Sequence, residues 1–195
     1  MYRDASAEFY TVNSTIDVQK HRLRGTIGNT PFTSDDIVSG SFSYSAACAD
    51  ASSFQVGGVR IGVINCSFLN NLSIGPRSWR GKEIVVEFGL CISEHPDVYE
   101  YIPLCRGVIS EATISAGLVV IKAYDNMSKF DKDLEAGATI TGTAFAILSE
   151  ICDKCGVTLG NTRLEIESMP NGSAPILSPY APNDCKTYRD WLYWL

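Results

Sequence analysis

Alternation of apolar and polar positions governs the chain as far as Tyr124. Ile84, Val86, Phe88, Leu90 and Ile92 keep period two, the mark of a strand with one buried face, and predict an inward-facing set. Phe42, Tyr44 and Ala46 alternate with Ser41, Ser43 and Ser45, which predicts a half-buried strand. Val59, Ile61 and Val63 alternate with Arg60 and Gly62 and predict another. Ile16, Val18, Leu23 and Ile27 suggest a strand pair or one long bent strand. Two further strands run from Leu104 to Thr113 and from Leu118 to Tyr124, with Ser115-Ala116-Gly117 as a hairpin turn between them. Turn signals punctuate the pattern at Asn29-Thr30-Pro31, in the small-residue stretch 47–53, around Gly75-Pro76, and in a loop from Ser93 to Glu100 that holds His95-Pro96. Residues 1–15 show little periodicity and read as an arm or a first edge strand. About six antiparallel strands with frequent turns indicate a sandwich or a small barrel.

The pattern changes after Tyr124. Asp125 stops the last strand and can cap the short turn that follows. A helix is expected from Ala144 to Cys155, capped by Thr143 and closed by Gly156, a residue suited to a left-handed terminus. Its apolar face is expected from Phe145, Leu148, Ile151, Cys152 and Cys155, which recur at three- and four-residue steps. Val157-Thr158-Leu159 and Leu164-Glu165-Ile166-Glu167 read as short strands, and Pro170-Asn171-Gly172 as a turn. A final helix, capped by Asn183 or Asp184, carries Tyr188, Trp191, Leu192 and Leu195 on one face. With Trp191, Tyr193 and Trp194 so close to the end, the expectation is an N-terminal piece of a longer protein, its face of Tyr188, Trp191 and Leu195 poorly covered. The fold class is therefore mainly β, α+β. An N-terminal antiparallel β-barrel or sandwich (1–124) precedes a smaller α+β segment (125–195), read as part of a second domain that continues further.

Composition narrows the function. The 195 residues suffice for one large domain or two small ones, and 45% apolar content is ordinary. A net charge of −6 argues against a nucleic-acid partner, which calls for a basic face. Lys20, His21, Arg22 and Arg24 are close together, but an alternating strand divides them between two faces and predicts a solvated strand. No run approaches the ~18 apolar residues of a membrane helix, and the N-terminus lacks a signal-peptide core, so no membrane insertion is expected and assembly is expected in the cytoplasm. Seven cysteines, Cys48, Cys66, Cys91, Cys105, Cys152, Cys155 and Cys185, have irregular spacing and are expected as free thiols.

No catalytic, cofactor or metal constellation emerges. Cys152-Asp153-Lys154-Cys155 is a C-x-x-C, but it lies at the C-terminal end of its helix, where the macrodipole does not activate a thiol. His21 and His95 are distant from it, so a four-ligand zinc set is incomplete. Asp131, Asp133 and Glu135 alternate like a calcium loop yet lack its glycine and distal glutamate, and read as a solvated loop. Asp35-Asp36 reads as a turn. The expectation is a protein that is not an enzyme.

One resemblance organises these features. Ile121, Ala123, Asp125, Met127, Lys129 and Phe130 match a strand-to-turn motif I-x-A-x-D-x-M-x-K-F, and Leu148, Ile151, Cys152, Gly156 and Val157 match a helix motif L-x-x-I-C-x-x-x-G-V. Upstream, Ile37-Val38-Ser39-Gly40-Ser41-Phe42 and the stretch from Gly57 to Gly62 look like two further strands of the same pattern. Pro103-Leu104-Cys105-Arg106-Gly107-Val108 looks like a P-L-G segment with Cys105 in place of glycine. In this order and spacing the chain, from about Arg24 onward, resembles the baseplate hub and tail-tip proteins of phage tails, prophages and related injection machines. That resemblance implies a structural virion component whose barrel helps build the ring closing the tail tube. It implies a homo-oligomer, a trimer in the full-length protein, with distal-tail and tail-tube proteins as neighbours. It also implies location in the host cytoplasm during assembly and then in the virion tail. The alternative is a small-ligand or carbohydrate-binding β-barrel module, with Trp79 and Tyr99-Glu100-Tyr101 as exposed loop aromatics.

Overall fold

The computed structural model describes residues 5–15, 19–46, 61–69, 78–135, 141–176 and 185–194. Expectations resting on Ile16, Val18, Cys48, Arg60, Asn183, Asp184 and Leu195, or on the stretches 47–59, 70–77 and 178–182, fall outside those residues. The chain divides into two compact units. One comprises the described residues of Met1–Ser45 and Gly62–Asp125, and the other includes those of Asn126–Leu195.

The first unit is mostly sheet. Its strands are β1 (His21–Ile27), β2 (Thr30–Thr33), β3 (Ser43–Ser45), β4 (Val63–Leu69), β5 (Glu83–Glu94), β6 (Asp97–Ser115) and β7 (Leu118–Tyr124). They form one antiparallel sheet in the order β2-β1-β5-β6-β7-β4-β3. Alternation decides the inner face: Ile64, Cys66 and Phe68 of β4, Ile84 and Val86 of β5, and Val119, Ile121 and Ala123 of β7 are all buried. Ile27, Phe32, Ile109 and Trp79 complete this core. Phe68 stands edge-on to both Phe32 and Trp79, with ring centroids 5.1 and 5.5 Å apart, a favoured aromatic geometry. After β2 and a 3-10 turn at Ser34–Asp36, Ile37 bridges to Phe68 of β4, and the Val38 N–H donates to the Ser67 carbonyl at 2.9 Å. The connection leaving one sheet edge thus lies along the strand beside the other edge, which curls the sheet into a barrel-like form. Gly25 permits a close approach of β5, since a Cβ there would stand 2.0 Å from the Val85 carbonyl oxygen.

Several local expectations change in this unit. Residues 93–100 are not a loop, because β5 and β6 continue to a two-residue turn at the cis His95-Pro96. Of the strand expected around Val59 to Val63, Ile61 and Gly62 are not in a strand, and β4, from Val63, buries even-numbered positions. The segment from Ile37 to Phe42 is not a continuous strand, as Gly40 turns it at φ 73° before β3. The N-terminal arm or edge strand is a helix, α1 (Ala7–Thr15). Ser6 caps it, accepting from the Phe9 N–H at 3.1 Å, and only Phe9 is buried, so no apolar period announced the helix. Phe9 packs with Leu90 and Ile102, and Phe88 and Ile92 join this small cluster half-buried. The five-residue inward set of β5 therefore shares one face but spans two cores.

The second unit is built from short, capped pieces. A 3-10 segment (Asn126–Asp131) precedes α2 (Ala144–Cys155), α3 (Arg163–Glu167) and α4 (Tyr188–Trp194). Helix α2 has the expected bounds, with the Thr143 hydroxyl accepting from the Ala146 N–H and Gly156 left-handed at φ 64°. Its buried stripe is rotated from the expected one: Ile147, Ile151 and Cys152 are buried, whereas Phe145, Leu148 and Cys155 are half-buried. Residues 157–159 form no strand, and 163–167 is helical rather than extended. The reason is a reciprocal cap, in which Thr162 accepts from the Glu165 N–H and Glu165 accepts from the Thr162 N–H at 2.7 Å. Helix α4 is capped by Thr187 and Asp190, and the Asp190 carboxylate accepts from the Lys186 and Thr187 N–H groups. Its aromatic face is not poorly covered. Tyr188 and Trp191 are buried with Phe130, Ile147, Ile151 and Cys152 in one core.

Candidate interaction surfaces

The first unit carries a cleft of about 480 Å³. Its floor is apolar, from Leu23, Ile37, Phe42, Phe88 and Leu104, and its rim holds His21, Arg22 and Ser39. The His21 ring stacks on Phe88, 5.9 Å between centroids and 24° between planes. The Ser34 hydroxyl, also at the wall, is satisfied by the Leu23 backbone, accepting from its N–H at 2.6 Å and donating to its carbonyl at 3.1 Å. Four separate parts of the chain supply the floor, so no local pattern marked this cleft.

The opposite face of β1, β5 and β6 is a ladder of arginines and tyrosines. Arg22 lies over the Tyr99 ring at 4.9 Å and Arg24 over the Tyr101 ring at 3.8 Å, each a cation–π contact. Arg24 also pairs with Glu87 at 2.5 Å. Gly89 stands opposite Tyr101, and a Cβ there would meet the tyrosine ring at 2.5 Å, so glycine lets the ring lie across the neighbouring strand. The basic cluster and the aromatic pair, read separately in the sequence, meet here. The signal was two period-two pairs, 22/24 and 99/101.

The other singled-out residues take structural places. Trp79 is wholly buried, so it is a core residue and not a surface aromatic. Tyr99 and Tyr101 lie on a strand, not in a loop, and the Glu100 carboxylate holds the start of α1 through the Ser6 N–H, at 2.6 Å, and the Ser6 hydroxyl. Lys20 reaches Asp97 at 3.4 Å and Glu94 at 3.7 Å, and the Asp97 carboxylate raises the lysine pKa. Asp36 accepts from the Thr33 N–H at 2.8 Å and closes a turn. Asp131 pairs with Arg189 at 2.6 Å and Glu135 with Lys154 at 2.8 Å, so these acids face different cations instead of converging. Lys154 accordingly lowers the Glu135 pKa.

Cys66, Cys91 and Cys152 are buried, and Cys155 is half-buried. All four are free. Burial pushes the Cys66 pKa up to about 12 and raises those of Cys152 and Cys155, the reverse of what a nucleophilic thiolate needs. Among the described residues, no group of three His, Cys, Asp or Glu side chains is placed to hold a metal ion, and no helix is long and apolar enough to cross a membrane.

No family model matches the chain, and no curated protein matches it. A chain in the solved virion of a native gene transfer agent particle is similar at TM-score 0.41 and 13% identity, over 82% of this chain and 53% of that one. This chain thus spans about half the length of the one it matches.

Proposed function

We propose that this chain is a structural part of a phage or prophage tail, in the baseplate hub or tail-tip ring that closes the tail tube, and that it works through interfaces and not through catalysis. The observation that carries this reading is the run from β7 to Gly156. Several of its motif residues hold core or cap positions, although Leu148 is only half-buried. Ile121 and Ala123 are buried in the sheet core, Phe130, Ile151 and Cys152 in the second unit's core, and Gly156 ends α2 in the left-handed conformation. A motif made of core and cap positions marks a scaffold, which is the role the resemblance implies. The partners in this reading are further copies of the chain, a trimer at full length, together with distal-tail and tail-tube proteins. Its place is the host cytoplasm during assembly and then the virion tail.

The test is made on particles. Tails purified from an induced host should contain the protein at the host-facing end of the tube, seen by antibody labelling in electron micrographs. Deleting its gene should leave tubes without a closed tip. Complete, infectious tails from the deletion strain would sink the proposal. The small-ligand or carbohydrate reading is favoured only by the cleft lined by His21, Arg22 and Phe88, and saturable glycan binding lost in Phe88→Ala would bring it forward.

A further inference from the structure

The longest strand has an open side. Strand β6 pairs with β5 from Asp97 to Val108, but with β7 only from Val108 to Ser115. Among the described residues, no strand lies along the other side of its first half. Hydrogen-bond parity shows which amides face that side. The Cys91 N–H donates to Lys20 and the Gly28 N–H to Glu83, so odd-numbered residues of β5 bond toward β1. The Ile109 N–H donates to Lys82, so even-numbered ones bond toward β6. Phe88 is opposite Ile102 and Leu90 opposite Glu100. Ile102 and Glu100 therefore bond to β5, while Tyr99 and Tyr101 turn their N–H and C=O groups away from it.

Pro103 fits this geometry. It shares the parity of Tyr101, so its nitrogen, which has no proton, also points to the open side. Proline within a sheet is confined to such edges. Tyr99 and Tyr101 are only half-buried, and neighbouring Val98 is 44% exposed. Of the two faces flanking this edge, α1 covers one through Phe9, and the arginine–tyrosine ladder stiffens the other. The result is an edge of two donors and three acceptors, ended by a proline.

We propose that this edge, Tyr99 to Pro103, pairs antiparallel with the same edge of a second copy of this chain. The edge is self-complementary. With Tyr101 opposite its own counterpart, each Tyr101 N–H reaches the other Tyr101 carbonyl, and each Tyr99 N–H reaches the Pro103 carbonyl of the other copy. The missing proline N–H then leaves only the Tyr99 carbonyl without a strand partner. Tyr101 meets its own counterpart as a cross-strand pair on the ladder face, a stabilising combination, with Tyr99 opposite Pro103 of the other copy. Pairing also removes an open edge that would otherwise invite aggregation. The inference stands on the sheet edge itself and does not depend on the tail reading.

Amide hydrogen exchange against protein concentration tests it, with light scattering alongside. In dilute solution the Tyr99 and Tyr101 amides should exchange at least about tenfold faster than those of Glu100 and Ile102, and they should slow as the chain dimerises. Tyr101→Pro removes an edge N–H without touching a β5 bond, so β5 and β6 should stay protected while self-association is lost. As a check independent of that variant's folding, Val98→Lys, which places a charge beside the edge, should weaken association at least about tenfold. Three results would overturn the proposal: protected Tyr99 and Tyr101 amides at high dilution, association that leaves them unprotected, or no association at millimolar concentration.

Discussion

The two units hold together in different ways. The sheet unit is held by pairings between distant residues, such as Ile64 with Ala123 and Val86 with Cys105, closing over the fully buried Trp79 and Phe68. The helical unit is held by caps made within three or four residues, at Thr143, Thr162 and Thr187, with one aromatic core where the pieces meet. A ladder resists local damage because most of its strands are fixed on two sides, whereas a five-residue helix such as α3 depends on its own cap. Core deletions should therefore be costly in the sheet, and single hydrogen bonds should matter more in the helical unit.

The largest effect should come from Trp79→Ala. It empties the centre of the sheet core and should cost ~3–5 kcal/mol in urea unfolding. A loss under about 1 kcal/mol would mean that the core collapses around the gap, and the comparison would break. Phe88→Ala should cost less, ~1–3 kcal/mol, because Phe88 is half-buried between the α1 cluster and the cleft. A loss equal to that of Trp79→Ala would show the cleft to be part of the main core.

In the helical unit, Thr162→Ala removes one half of the reciprocal cap and should cost about 1 kcal/mol locally, read as faster amide exchange in residues 163–168. Unchanged exchange there would mean that burial of Ile166 alone holds α3. The cap on α4 should show as a pH dependence. Hydrogen bonds from the Thr187 and Lys186 N–H groups lower the Asp190 pKa. Its folded pKa lies below its unfolded one, so the stabilisation is complete above the ordinary aspartate range and fades as pH falls through the depressed value. The stability difference between the native chain and Asp190→Ala should therefore shrink on acidification, and a constant difference down to strong acid would contradict this origin.

The smallest expected effect is a gain. The Tyr188 hydroxyl and the Trp191 indole N–H are buried without hydrogen-bond partners. Tyr188→Phe removes an unsatisfied polar group at nearly constant shape and should be neutral or stabilising by up to about 1 kcal/mol in thermal unfolding. A marked loss would reveal an ordered water at this site.

Much of this architecture was legible along the chain because it depends on neighbours in sequence. Period two in β5, the apolar and β-branched run of β7, the hairpin at Ala116-Gly117, and the Thr143 and Gly156 ends of α2 are local consequences of side-chain shape and backbone freedom. The T-x-x-E at Thr162 was equally local, and the β-like look of Leu164 to Glu167 hid it. Tertiary structure alone decided the rest. It stacked Arg22 and Arg24 on Tyr99 and Tyr101, gathered the cleft floor from four separate stretches, buried Trp79 and Trp191, and made β6 outrun β7 so that Pro103 sits on an edge. The physical reason is that periodicity states which side of an element seeks burial, while only packing states what covers it and which backbone edges are left open.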